Sequence, residues 1–132
     1  MKKILLLFFL SSSLFANHVY WQGIYDKALE EAHQENKPLL VLLVKQREPF
    51  CNEIIKNVFM NQAYIEKINS KMIAIIVTYE GKMSYPIELY YTTVFPTLFF
   101  VDAQKETFLR EPLFGKEITT QNVKAFLEIE KI

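Results

Sequence analysis

Three short, nearly unbroken apolar runs constrain this chain most: PLLVLLV (38–44), MIAIIVTY (72–79) and VFPTLFFVD (94–102). None alternates apolar with polar residues, so each reads as a strand buried on both faces. The segments between them follow a helical period. In YDKALEEAHQEN (25–36), Tyr25, Ala28, Leu29 and Ala32 fall at i, i+3, i+4 and i+7, with charge on the opposite face, and Asn36 and Pro38 end the helix. From Pro49 onward, Phe50, Ile54, Ile55, Val58 and Phe59 recur at threes and fours. Pro49 suits a first helical position, where its missing N–H would have no partner anyway. NQAYIEKINSK (61–71) continues as helix, and Gly81 closes the second strand.

Beyond that point, SYPIELYYTT (84–93) reads as a short helix after Pro86, and the third strand begins just after Pro96. ETFLREPLFGK (106–116) reads as an edge hairpin arm. ITTQNVKAFLEIEKI (118–132) reads as a terminal helix capped by Thr119 or Thr120, its apolar face made by Val123, Phe126 and Leu127. Strands separated by helical stretches of this length imply an α/β fold, a central sheet with helices on both faces in three layers. The 132 residues contain no repeat or linker and suit one domain.

The first sixteen residues, MKKILLLFFLSSSLFA, stand apart. A basic start (Lys2, Lys3), an apolar run and small residues ending at Ala16 have the layout of a secretory signal peptide. The stretch is shorter than the roughly 20 apolar residues a spanning helix needs. The reading is cleavage after Ala16, a mature domain over 17–132, and a periplasmic or secreted location, with membrane contact only through an uncleaved leader.

Charge and cysteine content exclude several classes. The whole chain carries 15 basic and 15 acidic side chains, and loss of Lys2 and Lys3 leaves the mature domain slightly acidic. Nucleic-acid binding would need a basic face. His18, His33 and Cys51 show no ligand spacing for a metal, and the three scattered glycines form no phosphate loop, so no cofactor is implied. His33 reads as a solvated residue on a charged helix. One cysteine cannot form an internal disulfide, so an exported domain of this kind depends on its core.

The order helix, buried strand, helix opening on E-P-F-C, buried strand, then V-F-P-T-L-F-F-V-D and a terminal helix resembles the thioredoxin family over essentially the whole mature chain. That resemblance implies a thioredoxin-like sandwich with a mixed central sheet, and it makes Pro96 the family's cis-proline, between Phe95 and Thr97. It also identifies a departure. The redox motif of the family is two cysteines separated by two residues, and here those four positions are Glu48, Pro49, Phe50 and Cys51. Glutamate stands in place of the attacking cysteine, and Cys51 corresponds to the resolving one.

A dithiol cycle is therefore impossible on cysteine count, because release of a mixed disulfide uses a second thiol. A helix N-terminus favours a thiolate at Cys51 by roughly 0.3–1 kcal/mol, up to about 2 when partly buried. A Glu48 carboxylate ~6 Å away opposes it by on the order of 2–3 kcal/mol at an effective dielectric near 20. The sequence thus predicts a mostly protonated thiol, with Lys45, Arg47 or Lys56 as partial neutralisers of Glu48. Two functions follow. One is a binding protein that docks an extended polypeptide at Glu48, Pro49, Phe50, Phe95, Pro96 and Thr97, with Tyr85, Tyr90 and Tyr91 nearby. The other is monothiol exchange through Cys51 with a thiol-containing partner.

Overall fold

The computed structural model describes residues 18–81 and 84–128; the leader read over 1–16 and the end of the C-terminal helical stretch lie outside them. The elements run α1 (Tyr25–Glu35), β1 (Leu39–Val44), α2 (Pro49–Asn57), α3 (Gln62–Lys71), β2 (Ile73–Thr78), β3 (Thr97–Asp102), β4 (Thr107–Phe108), β5 (Leu113–Phe114) and α4 (Thr120–Phe126). Each helix stops or starts where side-chain chemistry allows it. Asn36 ends α1 in the left-handed region at φ 55°, Asn61 caps α3 by accepting from the Ala63 N–H, and Thr119 caps α4 by accepting from the Asn122 N–H.

β1 lies inside the sheet, parallel to β2 and antiparallel to β3, which makes the sheet mixed. Because side chains alternate across a strand, β1 divides its apolar run between two cores. Leu40 and Leu42 join Ala74, Leu98 and Phe100 beneath α2, α3 and α4, together with Ile54, Ile65, Ile68, Val123 and Phe126. Leu39, Val41 and Leu43 join Ile73, Ile75, Val77, Phe99 and Val101 under α1, with Tyr25, Ala28 and Ala32. Burial on both sides is the physical reason these runs lack polar alternation.

One segment differs from the sequence reading, and a second is more broken than it suggested. Residues 84–93 form turns rather than a helix: the Leu89 and Tyr90 N–H groups both donate to the Pro86 carbonyl, but no ladder continues. Tyr85 and Tyr90 are drawn into the α1-side core, and the Thr92 hydroxyl bonds locally to the Val94 backbone, which competes with a helix. Residues 106–116 form the edge hairpin arm, antiparallel to β3, but an interrupted one. β4 and β5 are two short pieces along the same edge of β3, with the register slipping by two residues between Val101↔Phe108 and Leu98↔Leu113. Pro112, which has no N–H to give a ladder, lies in that interruption.

Candidate functional site

The loop from β1 to α2 and the loop before β3 meet at the end of the sheet. Glu48 is the N-cap of α2 with extended backbone, Pro49 takes the first helical position, and the Cys51 N–H donates to the Glu48 carbonyl at 3.0 Å. The Glu48 side chain is half-buried and makes no capping hydrogen bond. Among the described residues, no lysine or arginine forms an ion pair with it, and Lys45 and Arg47 share only the surrounding depression. Arg47 sits in the left-handed region at φ 60° and is exposed.

Cys51 is 3% exposed. Burial is the leading cause that pushes its thiol pKa up; the Lys45 backbone N–H opposes this, and the Glu48 and Glu80 carboxylates add to it. The direction agrees with the sequence argument, but the ranking does not, since desolvation precedes the Glu48 field. Glu80 arrives from the 3₁₀ turn after β2 and accepts a hydrogen bond from the Gln46 N–H at 3.1 Å. Nothing in the order of residues signals that contact, because it is made across 34 positions.

The opposing loop is tightly bonded. The Phe95–Pro96 peptide bond is cis. Thr97 is fully buried, and its hydroxyl donates to the Val94 carbonyl at 2.6 Å and lies 3.1 Å from the Thr92 hydroxyl. The Pro96 carbonyl accepts from the Gly115 N–H at 2.8 Å. Gly115 has φ 53°, and a Cβ there would come within 3.0 Å of Val94, so the close approach requires glycine. Phe95 is half-buried, and among the described residues neither its N–H nor its C=O has a hydrogen-bond partner.

Lys45 joins the two loops. Its Nζ lies 5.5 Å from the Phe95 ring centroid and 5.9 Å from that of Tyr79, and the rings meet edge to face at 5.1 Å. Sequence reading gave no role to Tyr79 or Glu80 and considered Lys45 only as a counter-ion.

The residues named from sequence thus fall into groups. Glu48, Pro49 and Cys51 line a depression of about 420 Å³ together with Lys45, Arg47, Asn52, Ile55 and Thr78. Phe50 leans against the core under α2–α4, whereas Phe95 leans against the α1-side core. Pro96 is buried, and Thr97 spends its hydroxyl inside the loop. Of the aromatics placed nearby, Tyr90 is fully buried, bonded to Tyr25 at 2.7 Å, while Tyr91 is 72% exposed. His33 is exposed, yet its Nε2 lies 2.6 Å from the Ala103 carbonyl, a partner the sequence did not suggest. Among the described residues no group of three or more histidine, cysteine, aspartate or glutamate side chains is placed to hold a metal, and no helix is long and apolar enough to cross a membrane.

No family model and no curated protein matches the chain. Solved structures do. The chain is similar to DsbH oxidoreductase at 18% identity, with a TM-score of 0.71 over 89% of this chain and 88% of that one. A thioredoxin from Thermus thermophilus matches at 16% identity and TM-score 0.67, covering 85% and 88% of the two chains. A candidate disulphide-isomerase from Bacteroides thetaiotaomicron matches at 21% and 0.69, covering 89% and 97%. At these identities the likeness establishes architecture, and with the mixed sheet between two helical layers it shows that this chain has the thioredoxin-like fold.

Proposed function

We propose that the chain is an exported thioredoxin-fold protein with a degenerate redox site, which docks an extended polypeptide across the Phe95–Pro96 loop without dithiol catalysis. The observation that carries this reading is the backbone of Phe95: a half-buried residue next to the cis bond, between the bonded Val94 backbone and Pro96 carbonyl, leaves both its N–H and its C=O unused among the described residues. Backbone polar groups in such a setting find partners, and an extended chain lying alongside supplies one donor and one acceptor at the spacing they need. Glu48, Pro49 and Phe50 form the neighbouring wall.

The same geometry weighs against monothiol exchange. Cys51 is buried, its thiol is held in the protonated form, and the position before Pro49 carries a carboxylate. The similar proteins described as an oxidoreductase and a candidate disulphide-isomerase therefore support the fold of this reading rather than its chemistry. Export rests on the first sixteen residues.

A disulfide-reduction assay on the purified mature protein tests the reading, beside Cys51→Ser and Glu48→Cys. We expect no turnover from the parent or Cys51→Ser, and turnover from Glu48→Cys, which restores a two-thiol spacing. Reduction by the parent that Cys51→Ser abolishes would establish the exchange function instead.

A further inference from the structure

We propose that Lys45 occupies, within the chain, the place that a lysine or arginine of the docked polypeptide takes on binding. The site is then selective for basic partners and is partly closed to them in the resting protein. This rests on the docking reading above and names its partner chemistry.

The inference begins with the two rings. Phe95 and Tyr79 meet edge to face, and the Lys45 ammonium lies within 6 Å of both centroids. That is the reach at which a ring face attracts a cation, so the pair already demonstrates a cation position. Lys45 is exposed and, among the described residues, forms no carboxylate ion pair, so the ring contact holds it at a solvent boundary where exchange is easy. Phe95 also has a backbone open to a docked chain, so a side chain of that chain passes beside this position.

The surrounding charge favours a cationic newcomer. Glu48 is half-buried in the adjoining depression, Glu80 lies behind the Gln46 amide, and neither is neutralised by an ion pair among the described residues. Both carboxylates act at the Cys51 sulfur, which places their fields at the same end of the sheet. Arg47 also lines the depression and is the counterweight. A neutral side chain would expel an ammonium from the rings without replacing its charge, whereas a basic one restores the contact at the end of the sheet where both carboxylates act.

Three fluorescent extended peptides, identical except for lysine, alanine or glutamate at the central position, test this by anisotropy against the full mature protein and its Lys45→Met and Lys45→Arg variants. Lys45→Met keeps the stem and removes the charge. It should tighten the lysine peptide by about two- to fivefold, the equivalent of one exposed cation–ring contact. The alanine peptide should change by less than that, the glutamate peptide should bind weakest throughout, and Lys45→Arg should behave as the parent. Glu48→Gln combined with Glu80→Gln should remove the preference for lysine. If the peptides bind but Lys45→Met leaves the lysine peptide no tighter, or the glutamate peptide binds best, the inference falls while the docking reading stands. If no peptide binds either protein, both fall.

Discussion

The two loops that meet through Lys45 are held in opposite ways. The loop before β3 is held near the cis bond by the Thr97–Thr92–Val94 hydroxyl network and by the Gly115 N–H on the Pro96 carbonyl, and among the described residues it leaves the Phe95 backbone between them open. The loop before α2 has its backbone fixed by the Glu80–Gln46 bond, yet the charged side chains of Lys45, Arg47 and Glu48 form no ion pairs among the described residues. The first loop is therefore scaffold that presents backbone, and the second presents unspent charge. An internal bond removes a group from what a partner can use, so the contrast indicates which residues hold the site and which read what binds there.

Thiol labelling provides the largest effect by which to break that comparison. Cys51 lies on the buried face of α2, just beyond the second loop, so an uncharged thiol reagent at neutral pH should label it slowly in the native protein and at once in denaturant. A local opening costing about 3 kcal/mol slows labelling roughly a hundredfold. Equal rates in both states would place the thiol on the surface and end the argument from burial.

Next in size is Thr97→Val, which keeps shape and deletes the hydroxyl. It should destabilise the domain by about 1–3 kcal/mol in urea unfolding, because the Thr92 hydroxyl and the Val94 carbonyl lose a buried partner. A change under about 0.5 kcal/mol would mean the network adds nothing to the scaffold.

The pH dependence is smaller. The Cys51 pKa is raised in the folded state above the ordinary 9.0, so its contribution to stability is complete below that value and is lost as pH rises through the folded one. Stability should accordingly fall on the alkaline side, and Cys51→Ala should remove the first part of that fall. Tyr25 and Tyr90, also raised by burial, act in the same sense further up the scale.

The smallest effect is expected at the loosest residue. Glu48→Gln should change stability by no more than about 0.5 kcal/mol, since the side chain makes no cap bond. It should nonetheless lower the Cys51 pKa, read by the pH dependence of labelling. If stability drops well beyond that while the thiol titration stays put, Glu48 belongs to the scaffold and the contrast between the loops dissolves.

Much of this was legible in the residues. The three apolar runs became β1, β2 and β3 because continuous apolar sequence reports burial on both faces, and Asn36, Pro49 and Thr119 marked helix ends through local chemistry alone. What the sequence did not show, the turns at 84–93 in place of a helix and the break within the 106–116 edge arm, is decided by tertiary partners. Tyr90 reaches Tyr25 across 65 positions, and β4 and β5 take their register from β3. The site divides in the same way. Glu48 and Cys51 could be paired from a spacing of three, whereas the burial that dominates the thiol and the Glu80 field could not.

The amino-acid order by itself determined the layers, the helix ends and the lone thiol with a carboxylate one turn before it, since each follows from local periodicity and composition. Only the tertiary structure decided that Lys45 rests on Phe95 and Tyr79, that Phe50 and Phe95 lean on opposite cores, and that the Phe95 backbone is left open. Those facts arise where elements distant in sequence pack at one end of a sheet, and contacts of that kind depend on which surfaces meet rather than on which residues adjoin.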